Sequence, residues 1–251
     1  MFDARQAPYF QGIYSACDVT PRNAGMRLNS RSTAQTCSDV QLGFATPKHP
    51  FRPLLEAFIR SGFKRAHNAD IHSFMPNLFF LKNDKAQAVL GVRSGLTPLF
   101  LEQYLTNLET CLHNKGVVAS RHQLVEIGNL YSTSSPMTQR LLIYTLLTLA
   151  LDHKTHILFT GIPAVTRIFN RFRIPLTQLC DAKQSAVKNG PDDWGRYYQY
   201  HPKVMVLAIH DALDAIDHSP ALSQLRDALM PHIVAAHKKL ATEKSHLEES
   251  L

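Results

Sequence analysis

Residues 121–153 read RHQLVEIGNLYSTSSPMTQRLLIYTLLTLALDH. Residues 124–130 have the apolar, strand-like character of a buried β-segment and hold one carboxylate, Glu126. A Ser/Thr loop follows from Ser132 to Pro136, and an apolar helix is predicted from about Met137 to Asp152. Strand, polar loop, helix is the order in which a chain offers free backbone N–H groups to a phosphate. A lone acid beside such a loop points to proton transfer next to a phosphate-bearing ligand. A buried strand–helix unit with one satisfied Glu has the same pattern.

Working upstream, His49-Pro50-Phe51 opens a helix with Leu54, Leu55, Phe58 and Ile59 on one face, ended or interrupted at Gly62. Residues 77–82 and 85–93 form a hairpin about Asn83-Asp84. Pro98 opens a further helix carrying Leu99, Leu101, Tyr104 and Leu105. Downstream, residues 156–161 are a strand and Pro163 begins a helix. Residues 190–193 are a loop, and 197–200 and 204–209 are strands, or one strand broken at Pro202. Residues 211–247 read as one or two helices. Residues 1–47 are polar, without a steady period. The expected organisation is a polar extension (1–47), a mixed-sheet α/β domain with helices on both faces (48–212) and a C-terminal helical segment (213–251).

The 251 residues carry a formal charge of +7. That favours anionic partners, but the arginines are scattered and no stacked aromatic platform or nucleic-acid motif appears, so nucleic acid is not expected. Cys17, Cys37, Cys111 and Cys180 lack paired spacing, and the 13 histidines form no ligand pair, so neither a disulfide framework nor a metal is expected. No apolar run reaches the roughly 20 residues that span a bilayer. The N-terminus lacks a basic start followed by an apolar block. A cytoplasmic protein with reduced thiols is the expectation.

The order of elements resembles the GNAT-type acyltransferases, and their acyl-homoserine-lactone synthase branch in particular. Leu90-Gly91-Val92-Arg93 resembles that branch's hairpin strand, 98–102 the helix after it, and Val125-Glu126-Ile127-Gly128-Asn129 its Glu-x-x-Arg strand, with Asn129 where the synthases carry Arg. The sequence is more similar to the bacterial thermostable haemolysin family. The matching segments are 69–71 with 74–78, 90–93, 99–105, 125–130, Phe159-Thr160, 194–198, and Pro202 with Val204. This resemblance, over roughly residues 50–210, implies a GNAT-like acyltransferase fold. It implies acyl transfer from a thioester through kinship, and lysis of red cells through the family's name.

Glu126, in an apolar strand, has the pKa-raising surroundings of a general base. A bulge near Gly128 would bring Asn129 to the same side, where its amide would hold an acyl carbonyl or a pantetheine amide. Otherwise it caps the strand end. Trp194, Tyr197 and Tyr198 form a dense aromatic cluster suited to an apolar pocket, with a hydroxyl to donate to a leaving thiolate, or simply to core packing. Arg93 and Arg121 would pair with Glu126 or bind a substrate carboxylate. Asp70 would orient an amine or cap a strand. Through the resemblance, Phe100, Phe159 and Thr160 join the substrate contacts, and Leu130 joins Ser132, Thr133, Ser134, Ser135 and Arg140 as contacts to the co-substrate. Ser135-Pro136 also suits N-cap and N1.

The function expected is N-acyl transfer from acyl-CoA or an acyl-carrier-protein phosphopantetheine to an amine or amino acid, with no permanently bound cofactor. The alternative is a membrane-active cytolysin without enzymatic activity. Its best support is a C-terminal apolar stripe, Leu222, Leu225, Leu229, Ile233 and Val234, which would equally serve to pack on the domain or to form a homodimer.

Overall fold

The computed structural model describes residues 40–188 and 190–248, and within them the side chains of all but 191–192 and 239–248. The predicted extension over residues 1–39, with Cys17 and Cys37, lies outside the described residues. The chain divides into two units, Met1–Val40 and Gln41–Leu251, and every described helix and strand belongs to the second.

Gln41–Ala45, assigned by sequence to the polar extension, instead forms an edge strand, β1. Helix α1 (Arg52–His67) leads to the hairpin β2 (Asn77–Lys82) and β3 (Ala86–Ser94). The helix expected at Pro98 is a 3-10 turn, Phe100–Tyr104, followed by a short helix α2 (Leu108–His113). Then come β4 (Leu124–Ser132), α3 (Ser135–Leu151), β5 (His156–Gly161) and α4 (Pro163–Arg171). Strand β6 (Thr177–Asp181) was not foreseen. Residues Tyr197–Tyr200, expected as a strand, are a 3-10 turn. The chain closes with β7 (Lys203–Ala208), α5 (Ile209–Asp217) and α6 (Pro220–Glu248).

The seven strands form one mixed sheet in the order β1-β2-β3-β4-β5-β7-β6, with β4 and β5 the parallel pair. Side chains alternate across it. On β2, Leu78 and Phe80 face a core built with Leu55, Ile59 and Phe63 of α1. Phe79 faces the other way and meets Tyr144 of α3 edge-on at 5.5 Å. Both faces are therefore covered by helices, as expected. Gly62 does not end α1: a Cβ there would sit 2.2 Å from the Tyr131 ring of β4, so glycine lets helix and strand approach.

The C-terminal stripe is consumed by packing. Leu222, Leu229 and Ile233 are buried, and α6 lies along α3. No helix among the described residues is long and apolar enough to cross a membrane.

Candidate functional site

The sheet opens between β4 and β5. Their ladder runs only from Leu124↔His156 to Ile127↔Phe159. Beyond it, Thr160 and Gly161 pair only with β7, while β4 continues against β3 alone. At that point β4 is bulged: Gly91 opposes Gly128 and Val89 opposes Tyr131, so three steps on β4 match two on β3. Asn129 takes the extra position, with φ 49°. The bulge turns Asn129 to the side of Glu126, and its Oδ1 accepts from the Met75 N–H at 2.8 Å. Met75 lies over Gly91 and Gly128, where any Cβ would come within 2.7 Å of it. Arg52, buried in α1, fixes the same loop by donating to the Met75 and Pro76 carbonyls.

The gap holds a cavity of about 200 Å³. Glu126, 1% exposed, forms part of its wall. Its Oε2 accepts from the Phe100 N–H (2.8 Å) and its Oε1 from the Leu101 N–H (3.0 Å). Burial pushes its pKa up to about 7, against the pull of those two amides and of Arg93, which opposes it across the β3–β4 ladder. The carboxylate is thus held by backbone, not locked to an arginine. Arg93 also lines the cavity and donates from Nη1 to the Pro98 carbonyl (3.3 Å).

The aromatic cluster arrives from residues 190–201. Two backbone bonds dock this segment on the end of α1: Asp70 N–H to the Asp193 carbonyl and Arg196 N–H to the His67 carbonyl, both 2.7 Å. Trp194 packs on Phe100 (5.5 Å) and Tyr197 (5.4 Å). Tyr197 donates to the Thr160 carbonyl at 3.2 Å. Tyr198 and Tyr104 share a hydrogen bond of 2.5 Å. Burial raises both phenols above the usual range, so neither is a phenolate at neutral pH. One hydroxyl hydrogen is spent between them and the other remains to donate outward. The apolar part of the wall includes Leu130, Leu142, Phe159, Val165 and Phe169. Behind Ile127, Leu142 and Phe169 lies a smaller apolar annex of about 30 Å³ among α3, α4, α5 and α6.

Of the residues singled out from the sequence, Glu126, Asn129, Tyr198, Arg93, Phe100, Phe159, Thr160, Trp194, Tyr197 and Leu130 all line this one cavity. Arg121 is not. It forms a two-pronged pair with Glu102 (2.6 and 3.0 Å) and a third bond to Glu109, away from Glu126. Asp70 is exposed, with its carboxylate 3.7 Å from His72. Ser132, the last residue of β4, and Thr133, Ser134 and Ser135, which lead into α3, are outside the cavity wall, as is Arg140 in the second turn of α3. The N-cap is Ser134, one residue earlier than expected, and its side chain makes no capping bond. Ser132 is engaged with Thr138, and Thr133 with Gln87. The wall also includes residues that the sequence did not single out, among them Tyr104, which reads there only as helix packing, and His67, which ends an amphipathic helix without any motif.

A family model described as "Thermostable hemolysin" matches residues 45–213. No curated protein sequence matches the chain. Among solved structures, the chain is similar to FeeM, an N-acyl amino acid synthase from uncultured soil microbes. That match has TM-score 0.50 and 13% identity, over 73% of this chain and 99% of that one. It is also similar to TofI in an apo form (TM-score 0.49, 12% identity, 72% and 99%) and to the AHL synthase LasI (0.46, 12%, 68% and 89%). At these identities the likeness is one of fold, and the fold is GNAT-like with a C-terminal helical part.

Proposed function

The chain belongs to the thermostable haemolysin family, and from that premise we propose that it is an N-acyltransferase. It would move a fatty acyl group from an acyl-CoA or acyl-carrier-protein thioester to an amine or amino acid. The observation that carries this reading is the parted sheet. Beyond Ile127, β4 has no strand partner on the β5 side, and this bare stretch borders an apolar cavity with a buried carboxylate and a hydroxyl pair.

A pantetheine arm is slender and carries amides, so it suits such a bare strand edge. The acyl chain would lie among Leu142, Val165 and Phe169. Phosphates would meet the loop 132–135, at the N-terminal end of α3, with Arg140 in reach of the same charge. Negative charge developing on the thioester oxygen would be met by β4 backbone N–H groups, and the departing thiolate by the Tyr104–Tyr198 pair. Asn129 acts by shaping the bulge that aims these groups. Most of the acceleration would come from positioning in a dry cleft. A long-chain amide product is itself amphipathic, which would reconcile membrane lysis with an enzyme.

The test is incubation of the full chain with acyl-CoAs of several lengths, or acyl-carrier protein, together with amino-acid and primary-amine pools, followed by mass spectrometry for new amides. The expected result is one amide series that depends on both donor and acceptor. Absence of any amide with every donor overturns the reading.

A further inference from the structure

We propose that His67, rather than Glu126, takes the proton from the incoming amine, and that the wall formed by His67, Tyr197 and Thr160 is the subsite for a primary-amine acceptor. This rests on the acyl-transfer reading above.

The chemistry requires a base. A lysine-like amine has a pKa of about 10.4 and an α-amino group about 7.7–8.0, so the acceptor arrives largely as ammonium and must be deprotonated. Glu126 is poorly placed to do this, because each of its oxygens already accepts a backbone N–H and so anchors the Phe100–Tyr104 turn. His67 also lines the cavity, from the last turn of α1. Its Nδ1 is buried and has no hydrogen-bonding partner among the described residues. Burial, and then the charge of Arg196, hold its pKa below the usual imidazole value, so the ring is neutral and basic at neutral pH. The ring stands edge-on to Tyr197 at 5.3 Å.

A second polar atom of the same wall, Thr160 Oγ1, is likewise buried without a partner among the described residues. Tyr197 joins the two, since its ring meets His67 and its hydroxyl is spent on the Thr160 carbonyl. Buried polar atoms are rarely left unpaired, and two on one wall of a cavity mark where a ligand's polar group belongs. An amine supplies N–H donors to both a hydroxyl oxygen and an imidazole nitrogen.

In the step, the amine nitrogen attacks the thioester carbonyl carbon. Before the attack, His67 takes one proton from the ammonium and releases it to solvent. A C–N bond then forms, the C–S bond breaks with its electron pair on sulfur, and a second N–H proton reaches the thiolate through the tyrosine hydroxyl pair. Thioester and ammonium become amide, thiol and one released proton, and nothing is oxidised or reduced.

The test compares two nucleophiles on the full chain with one acyl-CoA donor: a primary alkylamine, and hydroxylamine, which is already unprotonated at neutral pH and needs no base. In His67→Gln, transfer to the alkylamine should fall on the order of 10²–10⁴-fold, the usual worth of a general base. Transfer to hydroxylamine, above the spontaneous rate, should stay within a few-fold of wild type. His67→Phe keeps the ring packing against Tyr197 and carries the same comparison if the glutamine variant does not fold. Equal loss with both nucleophiles, or no loss with either, overturns the assignment. A wild-type protein inactive with both nucleophiles overturns the acyl-transfer reading instead.

Discussion

Glu126 costs the fold stability wherever it is ionised. Its folded pKa, about 7, lies above the ordinary 4.5, so the folded state binds more protons than the unfolded chain between those values. Stability must therefore fall as pH rises through that window, by up to about 3 kcal/mol from this group, since one pKa unit is worth about 1.36 kcal/mol. Half-buried His67 and His156 act in the opposite sense, because their pKa values are depressed and they destabilise as pH falls below 6.5. The measurable quantity is thus the difference between wild type and Glu126→Gln in denaturant melts at pH 5 and pH 8. The wild type should lose stability relative to the variant on going up in pH. Asn129 gives a second prediction. Asn129→Asp keeps the acceptor for Met75 and should melt nearest wild type. Asn129→Gly keeps the backbone freedom but leaves that N–H unpaired, at about 1–3 kcal/mol. Asn129→Ala adds a further 1–2 kcal/mol, roughly, for forcing a Cβ to φ 49°. A lone acid in an apolar run and an amide three residues on were visible in the sequence. The capture of Arg121 by Glu102, 19 residues away, was not, because nothing local sets which carboxylate a long side chain reaches.

The elements that were legible are those whose pattern is set by burial. The hairpin 77–94, the strand holding Glu126, the helix after it and the strand at His156 are apolar on the faces the sheet buries. β1 and β6 were not legible because both are edge strands with most positions exposed or only partly buried, so QLGFA and TQLCD carry little alternation. Tyr197–Tyr200 was misread for the opposite reason. Its aromatics are strand-like, but they serve the cavity wall and have no ladder to join. The boundary between cavity and annex is likewise an element-scale feature. Phe169 of α4 stacks on Phe159 at 5.2 Å and lies between the two spaces. Phe169→Ala should merge them and move the preferred acyl donor to longer chains, read as a shift in kcat/KM across acyl-CoAs. Each added methylene has about 0.8 kcal/mol of burial to gain, so a shift of several-fold per carbon is expected.

At the scale of the molecule, the C-terminal helices are part of the folded unit. Ile233, on the helix α6 that packs along α3, is fully buried. Ile233→Ala should destabilise the whole protein by about 2–5 kcal/mol, seen as a single cooperative transition at lower temperature. A helix serving only as a detachable membrane anchor would leave the melting of the remainder unchanged. The short β4–β5 ladder has one more consequence. It leaves a raw strand margin in the middle of the sheet, where most proteins keep theirs at the periphery and guard them against self-association. Here Met75, which lies over Gly91 and Gly128, covers the margin beside the bulge and obstructs the approach of a foreign strand. An unpaired margin inside the sheet is thereby kept from becoming a nucleus for aggregation.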